Sequence, residues 1–133
     1  KAMELAINEA EILPEQVDYI NAHGTGTHHN DLFETMAIKS VFGTAAYDLA
    51  INSTKSMIGH LLGAAGAVEL ITCVKSMEEG YVHQTMGTKE PDADCDLNYA
   101  IGAPMKRKIR YALSNSLGFG GHNATLLLKK YED

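Results

Sequence analysis

The sequence lacks the long apolar runs, the paired cysteines and the excess of basic residues that mark several large classes of protein. No apolar stretch approaches the roughly 18 residues of a membrane span, and the first ten residues contain no signal-peptide core. Its two cysteines are too few and too far apart for a disulfide framework or a paired-cysteine zinc site. The formal net charge of -6 argues against general nucleic-acid binding. We therefore predict a cytoplasmic protein that binds neither nucleic acid nor membrane.

Neither cysteine is predicted to be a catalytic nucleophile. Cys73 lies in a helical pattern, where a cysteine is typical of a small buried hydrophobic residue. Cys95 lies in PDADCDL, whose three aspartates disfavour a reactive thiolate. One basic cluster breaks the acidic trend, at Lys106, Arg107, Lys108 and Arg110. It is either the solvated flank of a strand or a docking patch for an acidic partner.

With 133 residues, the chain can form one domain with a core but not two ordinary ones. Helical patterns cover residues 2–12, 31–41 and 60–80, and strand patterns cover 17–22, 49–54, 97–102, 109–118 and 124–130. This alternation predicts a parallel sheet covered by helices, and the closing strands predict an antiparallel edge. The first residue, which is not methionine, already lies in a helical pattern, so we expect a piece of a longer protein.

The stretch NAHGTGTHHND at residues 21–31 places a histidine at the end of a predicted strand. A dinucleotide-binding fingerprint would require glycine at position 29, which is histidine. His23, His28 and His29 lack the one-turn spacing of a metal site on one helix face. A third interpretation is that His23 performs chemistry at the carboxyl end of its strand, where ligands bind in such sheets.

A second candidate region is STKSMIGHLLGAAGA at residues 53–67. We predict that His60 lies in the first turn of a long helix, whose dipole would keep the imidazole neutral with an N–H to donate. Beside Lys55, such a ring could stabilise negative charge on a carbonyl oxygen. The alternative is a capping histidine next to a packing face of small residues. Asp31 and Glu34 likewise have two interpretations, as a helix capping box or as counter-charges for Lys55.

Three stretches together resemble the C-terminal half of a β-ketoacyl-acyl-carrier-protein synthase, of the synthase II type that acts in fatty-acid elongation. They are NAHGTGT…ND…E at 21–34, STKSMIGHLLGAAGA at 53–67 and SNSLGFGGHNATLLLKK at 114–130. The resemblance covers almost the whole chain. It implies an α/β fold, a thiolase-like αβα half with a mixed five-stranded sheet covered by helices. Residues 1–133 would be the C-terminal domain, and the half with the nucleophilic cysteine would be absent.

The resemblance also implies roles for individual residues. His23 and His60 would hydrogen-bond the malonyl thioester carbonyl and stabilise the enolate formed by decarboxylation, beside a catalytic Lys55 held by Asp31 and Glu34. Thr25 and Thr27 would bind the pantetheine arm, and Phe119 would be a gate whose N–H contributes to the oxyanion hole. Four further positions match a structural monovalent cation site in relatives: Asn21, Glu69, Ser114 and Asn115.

No cofactor other than that cation is expected. The implied partners are an acyl-carrier protein, with its phosphopantetheine-linked acyl and malonyl groups, and a second copy of the enzyme in a homodimer. The chain alone is expected to be inactive. Two other interpretations remain, a non-catalytic partner subunit like a chain-length factor and a fragment of a polyketide ketosynthase. A thiolase would need a second reactive cysteine near the C-terminus, which the sequence lacks.

Overall fold

The computed structural model describes residues 1–132. Within this range the helices are α1 (Ala2–Glu9), α2 (His28–Phe42), α3 (Lys55–Ile58) and α4 (Ala65–Glu79). The strands are β1 (Tyr19–Asn21), β2 (Ala50–Asn52), β3 (Tyr81–Val82), β4 (Met105–Lys106), β5 (Tyr111–Leu117) and β6 (Asn123–Lys129). Short 3₁₀ turns occupy Pro14–Gln16, Gly43–Tyr47, Leu62–Ala64 and Phe119–Gly121.

The main sheet has the strand order β2-β1-β5-β6. Strand β1 pairs in parallel with β2 and β5, so that Ile20 lies opposite both Ile51 and Leu113. Strand β6 runs antiparallel to β5 and forms one edge of the sheet. The predicted α/β class, with a mixed sheet and an antiparallel edge, is confirmed.

Alternate residues of the central strands face two separate hydrophobic cores, as the period of two along a strand requires. On one face, Ile20 and Leu113 pack against α1 and α2 in a cluster that includes Ile38. On the other face, Tyr19 and Ala112 pack against α4 around Cys73 and Met77, together with Val82 and Ile109. The sheet is therefore the middle layer of three.

The prediction of a fifth strand at residues 97–102 is wrong for the described chain, where the main sheet has four strands. The segment does run beside β2, because the N–H of Ile51 donates to the carbonyl oxygen of Asn98 (2.9 Å). Its extended conformation is interrupted at Ala100 and Gly102, which have φ angles of 50° and 87°. Only an isolated bridge between Thr85 and Ile101 follows. The small β3–β4 sheet was not predicted.

The predicted helix over residues 60–80 begins later than expected. Helix α3 ends at Gly59, which has a φ of 77° and a ψ of -178°, and α4 begins only at Ala65. His60 therefore lies in the turn between the two helices, and its predicted place in the first turn of a long helix is wrong. Within residues 1–132, no helix combines the length and the apolar character that a membrane crossing demands.

Candidate active site

His23 lies just beyond β1, and the carboxylate of Glu34 on α2 holds this end of the strand. The N–H groups of His23 and Gly24 donate to the two carboxylate oxygens of Glu34 (2.9 and 3.0 Å). The side-chain amide of Asn115 on β5 donates to the same carboxylate (3.2 Å). Burial raises the pKa of Glu34, while the hydrogen bonds from Gly24 and His23 oppose this shift. Helix α2 thus fixes the backbone that carries His23.

Gly24 allows the ends of β1 and β2 to approach closely. It has a φ of 40°, and a Cβ atom at this position would lie 2.6 Å from the Cβ of Ser53. Real Cβ contacts are never that short, so any side chain at position 24 would separate the two loops. The Ser53 hydroxyl also donates to the carbonyl oxygen of His23 (3.4 Å).

The rings of His23 and His60 meet edge to face, with their centroids 5.6 Å apart and an interplanar angle of 84°. The N–H of Leu62 donates to Nδ1 of His60 (3.0 Å), so the proton of the neutral ring resides on Nε2. In His23, Nδ1 is buried and has no hydrogen-bond partner among residues 1–132. Nε2 is therefore the nitrogen of His23 that remains available to a ligand.

The His23 ring is neutral at pH 7. Burial, with the nearby Lys55 and His60, lowers its pKa from 6.5 to about 4, against an opposing effect of Asp31. The charged form is disfavoured both because it would lose hydration and because it would face an ammonium group. A neutral imidazole can donate one N–H without carrying a charge.

Lys55 forms a buried ion pair with Glu69 on α4, and not with the two carboxylates that the sequence suggested. The prediction that Asp31 and Glu34 hold Lys55 is wrong, because the carboxylate that pairs with Lys55 belongs to Glu69. Glu34 holds the backbone after β1, and Asp31 accepts from the N–H of Gly26 (3.3 Å). The capping-box interpretation is also wrong, because α2 begins at His28 and Asp31 lies inside its first turn.

The predicted substrate-binding residues lie at the same end of the sheet as His23. The hydroxyl groups of Thr25 and Thr27 hydrogen-bond each other (3.0 Å), and Thr27 directly precedes α2. Phe119 follows β5 in a short turn, and its side chain is fully exposed. A cavity of about 360 Å³ opens beside Lys55 and Thr25, between α2 and the loop that contains Cys95.

The side chains of the four predicted cation ligands do not all point to one position. Asn21 and Ser114 are register partners on one face of the sheet. Asn115 points to the opposite face, where it donates to Glu34. The side-chain oxygen of Asn21 accepts from the N–H of Thr54 (3.2 Å), and one oxygen of Glu69 pairs with Lys55. The other oxygen of Glu69 is buried and has no partner within residues 1–132, so the cation stays a prediction and no chemical step is routed through it.

Sequence reasoning missed two features of this site. Lys55 and Glu69 lie on different helices, so the spacing of residues along the chain does not predict that they pair. The polar network around Thr54 and His83 was also missed. Asparagines at the ends of two adjacent parallel strands, Asn21 and Asn52, were its only trace in the sequence.

Comparison with known proteins assigns the family. Residues 1–89 match the family described as "Beta-ketoacyl synthase, C-terminal domain". The chain belongs to this family. Among solved structures, it is 40% identical to a type II polyketide ketosynthase in complex with its acyl-carrier protein, with a TM-score of 0.94 over 98% of this chain and 32% of that one. A β-ketoacyl synthase from Burkholderia phymatum is 34% identical, with a TM-score of 0.92 over 98% of this chain and 31% of that one. The fold is therefore that of a thiolase-like ketosynthase.

Curated relatives agree with this assignment. The chain is 48% identical over 132 residues to "3-oxoacyl-[acyl-carrier-protein] synthase 2" of Synechocystis, covering 99% of this chain and 32% of the relative. It is 50% identical over 129 residues to "Nodulation protein E" of Rhizobium meliloti, covering 97% of this chain and 32% of the relative. The chain thus spans about a third of the length of these relatives.

Proposed function

We propose that the chain is the C-terminal domain of a 3-oxoacyl-[acyl-carrier-protein] synthase that elongates fatty acids by decarboxylative Claisen condensation. The observation that carries this proposal is the edge-to-face pair of His23 and His60, with rings 5.6 Å apart. The sequence similarity to a synthase 2 over nearly the whole chain supports it. The rest of the enzyme would supply the cysteine thiolate that carries the acyl chain.

The reaction requires hydrogen-bond donors directed at one oxygen atom. When the malonyl group loses CO₂, the electrons of the broken C–C bond move into the thioester and place negative charge on its carbonyl oxygen. The Nε2–H groups of His23 and His60 would donate to this oxygen and stabilise the enolate. The enolate carbon then attacks the acyl thioester, a new C–C bond forms, and the cysteine leaves as a thiolate.

The chain's own residues would keep these donors in place. The neutral state of His23 lets it donate throughout the cycle without gaining or losing a net charge. Lys55 would contribute local positive potential, although Glu69 balances its charge. Thr25 and Thr27 would bind the pantetheine arm of the acyl-carrier protein. This arm would enter beside Phe119, whose backbone N–H would contribute to the oxyanion hole in the acyl-transfer step.

An acyl-carrier protein is the partner that this chemistry requires. One structural neighbour is a ketosynthase in complex with its acyl-carrier protein, which supports the proposal. We further propose a homodimeric enzyme in the cytoplasm that needs no cofactor beyond the predicted structural cation. A polyketide ketosynthase is the second candidate, because the structural neighbours include polyketide and chain-length-factor assemblies. A purely non-catalytic partner subunit would not require the His23–His60 pair.

The decisive experiment uses the complete synthase that contains this chain. His23→Ala and His60→Ala should each lower malonyl-carrier decarboxylation on the order of a hundredfold, as expected for loss of one well-aimed donor. His29→Ala, at an exposed position on α2, is the matched control and should leave the rate unchanged. Wild-type turnover in both site variants would overturn the proposed function. A product that is lengthened once by two carbons supports the fatty-acid synthase. A product that is extended repeatedly without reduction of its keto groups supports the polyketide alternative.

A further inference from the structure

His83 lies outside the three stretches that define the family resemblance, yet it is held tightly against the candidate site. It follows β3 and is half-buried. The side-chain amide of Asn52, at the end of β2, donates to its carbonyl oxygen (2.8 Å). The Asn52 side chain in turn accepts from the hydroxyl of Tyr19 (2.7 Å). The backbone of His83 is therefore fixed to the strands that position His23 and Lys55.

One contact places a proton on the His83 ring. Its Nδ1 lies 2.9 Å from the carbonyl oxygen of Gln84. Because a carbonyl oxygen only accepts, Nδ1 carries a proton, and in the neutral form of the ring Nε2 is then the bare nitrogen. Nε2 lies 3.3 Å from the hydroxyl oxygen of Thr54.

The direction of the Thr54 hydrogen bond follows from its other partner. The backbone N–H of Thr54 donates to Oδ1 of Asn21 (3.2 Å), which fixes the orientation of that amide. Its Nδ2 then donates to the Thr54 hydroxyl oxygen (2.7 Å). The hydroxyl proton is left to point at another acceptor, and among residues 1–132 Nε2 of His83 is the one in reach.

This network ends at the ion pair of the candidate site. Thr54 directly precedes Lys55, and its carbonyl oxygen accepts from the N–H of Met57 (3.0 Å) at the start of α3. Nδ2 of Asn21 also donates to the carbonyl oxygen of Glu69 (3.4 Å), the residue that pairs with Lys55. The chain of contacts from His83 therefore reaches both members of the pair.

We propose that His83, as a neutral ring protonated on Nδ1, is a positioning residue for Lys55: it accepts the Thr54 hydroxyl proton and so fixes the first turn of α3. It does not touch the reacting atoms. Its effect on turnover rests on the proposed function, whereas its tautomer and its coupling to Thr54 do not.

The first test is the imidazole ¹⁵N NMR spectrum of the complete synthase that contains this chain. His83 should show a protonated Nδ1 and a bare Nε2, assigned by loss of its signals in His83→Gln. A proton on Nε2 of His83 would overturn the proposal, because Thr54 would then have no acceptor.

The second test is a double-mutant cycle in the complete synthase. His83→Leu should lower kcat for malonyl decarboxylation about fivefold with KM unchanged, the effect of one neutral hydrogen bond. Thr54→Val should lower it at least as much, because it also removes the acceptor of the Asn21 amide. The double variant should lose no more than Thr54→Val alone, since that change already removes the contact with His83. His83→Gln should keep most of the rate, because its side-chain oxygen can accept the same proton. His29→Leu, the same change at an exposed site, should be silent.

The positioning role is overturned if the fold-losses in kcat of the two single variants multiply in the double variant. It is also overturned if His83→Leu leaves kcat unchanged. If the wild-type enzyme shows no decarboxylation at all, the proposed function fails instead. The same cycle is then read in the free energy of unfolding by urea, where coupling between positions 54 and 83 supports the contact and strict additivity refutes it.

Discussion

Lys55 and Glu69 form an ion pair that is almost completely removed from solvent, with 5% and 2% of their side-chain surfaces exposed. The second carboxylate oxygen of Glu69 is buried and has no hydrogen-bond partner in the described part of the chain. The pair joins α3 to α4, and His60 lies in the turn between these helices. The position of His60 therefore depends on a contact that solvent does not screen.

Replacing one member of the Lys55–Glu69 pair should lower the free energy of unfolding more than replacing both. Lys55→Met should lower the free energy of unfolding by about 3–5 kcal/mol, because it leaves the Glu69 carboxylate buried and uncompensated. The double variant Lys55→Met/Glu69→Leu should lose less than this. Urea unfolding monitored by circular dichroism measures both. Lys75→Met is the matched control, since Lys75 pairs with Glu78 in an exposed position and its loss should change stability little.

The low pKa of His23 should make stability depend on pH in the acidic range. Its pKa is about 4 when folded and 6.5 ordinarily, so the unfolded chain binds more protons between these values. The stabilising contribution is complete above pH 6.5 and is lost as the pH falls towards 4. Unfolding free energies measured across this window should show the slope, and His23→Gln should reduce it. A ring that titrates near 6.5 by NMR would contradict the burial of His23.

Position 24 should tolerate no side chain unless Ser53 is replaced by a smaller residue. Gly24→Ala places a Cβ against Ser53 at a backbone φ of 40°, and we expect a loss of stability of about 1–3 kcal/mol. Ser53→Gly in the same chain removes the clashing atom and should restore part of the loss. Gly63→Ala is the control, because a Cβ there would meet nothing within 4 Å. Equal melting temperatures for the two single variants would refute the close approach.

The two cysteines should differ sharply in reactivity towards a thiol reagent. Burial raises the pKa of the Cys73 thiol to about 12, so very little thiolate is present and access is blocked. Cys95 is only partly buried. Native protein treated with iodoacetamide at pH 8 should be alkylated at Cys95 alone, and both should react in urea. Mass spectrometry of Cys95→Ser provides the control, and native labelling of Cys73 would show that the α4 core opens readily.

Much of the fold could be predicted because its signals are local. The strand pattern at residues 17–22 and the helical pattern at 31–41 reflect side chains that face a core every second or every third to fourth residue. The fifth strand failed because Ala100 adopts a positive φ that no local propensity requires.

The site was predictable in its members but not in their contacts. His23 stood out because it ends a strand, and the structure places its ring against that of His60. The partner of Lys55 depends on where α4 crosses the sheet, which is a tertiary property. The same holds for Glu34, whose oxygens receive backbone N–H groups rather than an ammonium. Spacing along the chain carries no information on such choices.

Because the N–H of His23 donates to Glu34, the position of helix α2 influences the carboxyl end of β1. Phe33 and Met36, the exposed apolar neighbours of Glu34 on α2, face outwards from the same helix. Any molecule that displaces α2 by a fraction of an ångström would also displace the backbone of His23. The backbone that carries His23 would thus move with events on the outer surface of α2.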